Sequence, residues 1–130
     1  MFTVLTCGAR NYSDREKIEN ALSDLCDRRG PWVDQESFGT KFKTASGVRV
    51  VNGGTANADV YAITWACENG AQWQEYRPEA KYGIGASAVR DQDYFVREKI
   101  DCVLTFGTGS DIDNVARLAR KERIEVKAFK

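Results

Sequence analysis

Three glycine-marked loops, Cys7-Gly8-Ala9-Arg10, Asn52-Gly53-Gly54-Thr55 and Gly107-Thr108-Gly109-Ser110, each follow a short apolar run and each open onto a helix-like segment. Strands that repeatedly hand over to helices build an open sheet of parallel strands with helical crossovers. In such a sheet the loops at the carboxyl ends of the strands converge on one crevice. Helix N-termini there present unpaired backbone N–H groups to anions. The expected ligand is a nucleotide or something made from one.

The periodicity between these loops supports the same architecture. Phe2 to Thr6 is a β-rich run, Ser13-Asp14-Arg15-Glu16 matches a capping box, and Ile18, Leu22, Leu25 and Cys26 follow at helical spacing until Arg28-Arg29-Gly30-Pro31 stops the helix. Val48, Val50 and Val51 make a second strand; Ala58, Tyr61, Ala62 and Trp65 mark one face of the next helix, which Asn69-Gly70 closes. Ala71 to Tyr76 reads as a third strand and Arg77 to Ala86 as a loop, with Ser87 capping a helix that runs to about Lys99. Cys102 to Phe106 is a buried-type strand, Ile112, Val115, Leu118 and Ala119 mark a fourth helix, and Ile124, Val126 and Ala128 alternate with charges as an edge strand. The prediction is a single α/β domain over residues 1–130: a Rossmann-like, mostly parallel five-stranded sheet with helices on both faces. Residues 31–47, where Trp32, Phe38 and Phe42 lie among polar residues and glycines, form either a hairpin or an ordered surface loop.

Composition excludes several chemistries. With 19 basic and 19 acidic side chains the chain has no net attraction to a polyanion, which disfavours nucleic acid as a partner. There is no histidine, and none of the four cysteines is paired in C-x-x-C spacing, so the usual zinc ligand sets and the Cys-His and Ser-His nucleophile pairs are missing. Cys7, Cys26, Cys67 and Cys102 read instead as small core residues. No nicotinamide fingerprint is present, because Gly107-x-Gly109 leads to Ile112 where the third glycine should stand. No metal or cofactor is expected. The sequence carries no membrane-length apolar run, and a cytoplasmic location is the default expectation.

The segments Cys7-Gly8-Ala9-Arg10-Asn11-Tyr12-Ser13-Asp14, Val51-Asn52-Gly53-Gly54-Thr55-Ala56-Asn57-Ala58-Asp59 and Ala88-Val89-Arg90-Asp91 parallel, in the same order, the signatures CGGRDYxD, HGGAxGAD and PIRN. In this the chain resembles the YspA-like branch of the SLOG superfamily, found in bacteria and bacteriophages, over nearly its whole length apart from residues 31–47. The resemblance implies a Rossmann-like domain that binds nucleotide-derived ligands. Among its relatives some cleave a base from a ribose phosphate, some sense signalling nucleotides in antiviral defence, and some bind single-stranded DNA. It also implies a homo-oligomer, and a phage-encoded copy in a host cytoplasm would be suited to blunting a nucleotide signal. Base-cleaving relatives carry a PGGxGTxxE loop whose Glu position here is Val115. The acid that would assist departure of the base is therefore absent, which favours binding over hydrolysis. Residues 31–47 have no counterpart in the branch and are expected to cover the ligand crevice or build a subunit contact.

Each candidate residue has a competing structural reading. Gly8, Gly53 and Gly54 either let backbone approach a ligand or simply permit tight turns. Arg10 and Arg90 are the candidates for gripping phosphate, Arg10 first, unless each pairs with a carboxylate such as Asp14, Asp59 or Asp91. Asp59 either holds ribose hydroxyls or pairs with an arginine, and Thr55 and Asn57 double as ordinary helix-start residues. Asp111 reads as a capping residue that would repel phosphate, so phosphate belongs near Gly53-Gly54 or Arg10 and the Gly107, Thr108, Gly109 and Ser110 loop is left for ribose or base. A hydrolase would have to use Asp59, Asp91 or Asp111 instead of the missing Glu. Tyr12, Trp32, Tyr82 and Tyr94, in or near predicted loops, are candidates for stacking on a base.

Overall fold

A computed structural model describes residues 1–130. Strand β1 (Phe2–Gly8) lies at the centre of a five-stranded sheet, between β4 (Val48–Asn52) and β6 (Cys102–Phe106), with β5 (Gln72–Glu75) and β7 (Glu125–Phe129) at the edges. All four strand pairings are parallel. The strand order β5-β4-β1-β6-β7 reverses direction at β1 and β6, the arrangement of an open doubly wound sheet with its crevice at the carboxyl ends.

Alternation along the central strands divides the core in two. Val4, Val48, Val50, Cys102, Leu104 and Phe106 face α1 (Arg15–Arg29) and α2 (Asn57–Asn69), while Leu5, Val51 and Val103 face α3 (Ala86–Arg97) and α4 (Ser110–Lys121). Phe106 is fully buried and stacks on Phe129, with ring centroids 5.2 Å apart. Gly30 and Gly70 close α1 and α2 in the left-handed conformation expected of terminal glycines. No helix is long and apolar enough to cross a membrane.

Several sequence expectations shift. Helix α1 is capped by Asp14, whose carboxylate accepts from the Lys17 N–H at 3.1 Å, and Ser13 stands one residue outside. Ser87 caps nothing: α3 starts at Ala86, after a 3₁₀ segment over Ala80–Gly85 within the predicted loop. Asp111 lies inside the first turn of α4, whose N-cap is Gly109 without a side-chain cap. Cys26 and Cys102 are core residues, but Cys7 is half-buried and Cys67 exposed.

Residues 31–47 contain a hairpin, β2 (Val33–Ser37) and β3 (Thr40–Thr44), in which every strand residue except Thr44 is exposed. It springs from the amino-terminal end of the sheet: Gly47 accepts from the Phe2 N–H, and Ala45 N–H donates to Asn69 at the end of α2. The crevice lies at the other end, so the expected cover over it is not provided by this segment. Trp32 is held against the body, 6.3 Å from the Trp65 ring and bonded to Asp27 at 2.8 Å, whereas Phe38 is fully exposed.

These contacts predict opposite outcomes for two changes followed by urea unfolding. Phe106→Ala should cost about 3–5 kcal/mol, whereas replacing residues 33–44 by a short glycine link should leave the unfolding midpoint nearly unchanged. A large loss on hairpin removal would show that the hairpin supports the core.

Candidate functional site

Buried polar side chains concentrate at the carboxyl ends of β1 and β4 and on the facing turns of α2 and α3. Thr6, Asn52, Asp59, Arg90 and Asp91 are all buried there. Asn52 organises the glycine loop: its Nδ2 donates to Thr6 Oγ1 and to the Asp59 carbonyl, both at 3.1 Å, and its Oδ1 accepts from the Gly54 N–H at 3.0 Å. Gly54 has φ of 72°, and a Cβ there would also run into the Glu75 carboxylate. Gly53 is required for a different reason. An added Cβ would lie 2.6 Å from Arg90 Nη1 and 3.1 Å from the Tyr94 hydroxyl. Gly8 lets the N-terminal turn of α2 rest directly on β1, since a Cβ there would collide with Ala58.

Arg90 is the charged centre of this cluster. Its Nε and Nη2 donate to Asp91 Oδ1 at 3.2 and 3.1 Å, and Nη2 lies 3.6 Å from Asp111 Oδ2. Asn114 donates to Asp91 Oδ2 at 3.0 Å and in turn accepts from Arg117 at 2.7 Å. The structural pairing weighed for Arg90 is thus present, and it occupies only one edge of the guanidinium. No hydrogen bond uses Nη1, although the side chain is only 9% exposed. Burial works against the charge of Arg90, but Tyr94 and Asp91 hold its pKa above the ordinary arginine range. Arg90 also lines a cavity of about 360 Å³, walled by β5, the loop after it and one face of α3.

The candidate acids are engaged elsewhere. Asp59 accepts from the Ala56 N–H at 3.3 Å at the start of its own helix, and no arginine pairs with it. Burial pushes its carboxyl up to about 6, against the pull of the Ala56 and Thr55 N–H groups. Burial also raises Asp91 against the pull of Asn114 and Arg90. Burial and then the neighbouring Asp59 and Asp91 push the Cys7 thiol far above its ordinary range, which works against its thiolate form.

The remaining candidates scatter. Arg10, Thr55, Asn57, Thr108, Gly109 and Ser110 are exposed, and Arg10 makes no ion pair with Asp14 or any other carboxylate. Gly107 is half-buried under Ala9 and Tyr12. Of the four aromatics considered for stacking, Tyr94 is a buried residue of α3, Tyr12 packs on Phe106, and Trp32 lies near the opposite end of the sheet; Tyr82 lines the cavity. Asn114 and Tyr94 complete the cluster without having been singled out for that role. The one sequence signal for them is their helical spacing on α3 and α4. No family model matches the chain, and neither a curated protein nor a solved structure matches it.

Asp59 gives this site a pH signature. Its folded pKa of about 6 lies above its ordinary 3.8, so the folded state holds the proton more tightly and stability falls as pH rises through that window. The loss amounts to about 3 kcal/mol at 1.36 kcal/mol per unit. Asp59→Asn removes the ionisation, so its unfolding free energy relative to the parent should rise by about that amount between roughly pH 4 and pH 8. Equal pH slopes for the two proteins in urea titrations would show that Asp59 ionises freely.

Proposed function

We propose that this protein binds a nucleotide-derived small molecule and releases it intact, as a sensor or a sequestering protein. The observation that carries this reading is a buried arginine whose Nη1 lies against Gly53 with no protein acceptor and whose side chain lines a cavity beside β5 and α3. A buried cation whose remaining donor has no protein acceptor is suited to take an anionic oxygen, and guanidinium geometry favours phosphate. The cavity volume falls in the range of small-molecule sites.

Binding is favoured over N-glycosidic hydrolysis by the state of the acids. Asp59 is committed to backbone N–H groups and Asp91 is fully buried between Arg90 and Asn114. Val115, the position of the catalytic Glu in the resemblance, is a core residue with no exposed surface. We read the chain accordingly as a member of the YspA-like branch, acting through binding.

The test is mass spectrometry of small molecules released by denaturing freshly purified protein, before and after incubation with a nucleotide panel. The expected result is an intact nucleotide derivative, lost in Gly53→Ala, whose methyl group would crowd Nη1, and in Arg90→Lys, which keeps a cation beside Asp91 but lacks the fork. Circular dichroism identifies a variant that has lost its fold. Recovery of free base or ribose phosphate would make the protein an enzyme, and an empty wild-type protein after the full panel would overturn the reading.

A further inference from the structure

The cavity that Arg90 lines lies between β5, the segment after it and α3, and none of the residues Gly107 to Ser110 lines it. On the loop side the space is taken. Ala9 and Tyr12 cover Gly107, and Arg90 Nη2 reaches across to Asp111, whose carboxylate stands in the first turn of α4 and repels an anion. On the β5 side the cavity wall carries two groups without ion partners, Asp93 and Arg97, on successive turns of α3 from Arg90. It also carries Tyr82, an exposed aromatic on the segment before α3.

Resting on the binding reading above, we propose that the ligand is a mononucleotide, or a molecule containing one, whose phosphate meets Arg90 Nη1 and whose base stacks on Tyr82. This keeps phosphate near Gly53 but moves the base away from the Gly107–Ser110 loop, which the sequence leaves for ribose or base. Tyr82 is suited to the role. Lys81 Nζ lies 5.1 Å from its ring centroid and is itself tied to Glu79 at 3.2 Å, so the side chain is partly ordered while the ring stays 45% exposed at the cavity wall. Gly83, with φ of 57°, follows directly, and the segment Lys81–Gly85 is exposed throughout. An aromatic there can adjust to a base without disturbing the core. Asp93 lines the same wall one turn beyond Arg90 on α3, and Arg97, a turn further, adds a cation that no protein carboxylate neutralises. The cavity's volume of about 360 Å³ suits one nucleotide unit.

The experiment is calorimetric titration of the full chain with AMP and with ribose 5-phosphate, which share the phosphate and sugar and differ in the base. Tyr82→Ala should weaken AMP by roughly 5- to 150-fold, the range for loss of one base–aromatic stack, and leave ribose 5-phosphate unchanged; Tyr82→Phe should retain AMP binding. An equal loss for both probes in Tyr82→Ala would make Tyr82 a support of the site and overturn the proposal. AMP binding that is lost in Gly53→Ala but unchanged in Tyr82→Ala would overturn the base placement and leave the binding reading standing. A wild-type protein that binds neither probe would overturn the proposed ligand class, and the ligand-release experiment decides separately whether the broader reading survives.

Discussion

A guanidinium nearly excluded from water must have its charge matched, because an uncompensated buried ion costs several kcal/mol. Arg90 meets this requirement through Asp91, its neighbour on α3, and Asp111 on α4, while Asn114 on α4 donates to Asp91. The pairing has consequences beyond the two residues. It locks α3 to α4, aims the free edge of the guanidinium at the loop after β4, and leaves so little room there that the loop must carry glycine. The first glycine of that pair answers to the arginine and the second to the backbone turn.

Parallel strand order sets where this cluster can lie. With β1 between β4 and β6, the loops after β1, β4 and β6 emerge at one end of the sheet, and helices alternate between its faces. The buried Asn52 then joins β1 to the start of α2 through Thr6 and the Asp59 carbonyl. The hairpin belongs to the other end, so the buried polar cluster and any contact made by the hairpin are spatially separate.

Features governed by local pattern were legible in the sequence. The apolar runs of β1, β4 and β6, the helical spacing of Ile18, Leu22 and Leu25, and the closing glycines Gly30 and Gly70 all express short-range rules. Features decided by contacts distant in sequence were not. Ser13 and Asp14 are both good caps, and the side chain that reaches the Lys17 N–H is settled by how the chain enters α1. The hairpin is ambiguous in the sequence because its turn residues Phe38 and Gly39 both have positive φ, a conformation ordinarily signalled by Asn or Asp rather than Phe. Gly53 and Arg90 were visible as candidates, but their contact joins residues 37 positions apart, and no periodicity announces it. Arg10, favoured for its place directly after the first strand, is exposed in the turn that the Tyr12 N–H closes on the Ala9 carbonyl.

The division of labour among the carboxylates bears on chemistry. General acid catalysis needs a carboxyl within hydrogen-bond reach of the departing group and free to exchange its proton. Asp59 has the perturbed pKa that such a role would want, yet its oxygen is bonded to the backbone at the start of α2, and the perturbation follows from burial. Asp91 is more deeply buried and doubly bonded. Asp111 is open to solvent but already faces Arg90. A raised carboxyl pKa in this fold is therefore the consequence of burying acids beside an arginine, and the group of this cluster left without a protein acceptor is a donor, Nη1, rather than an acid.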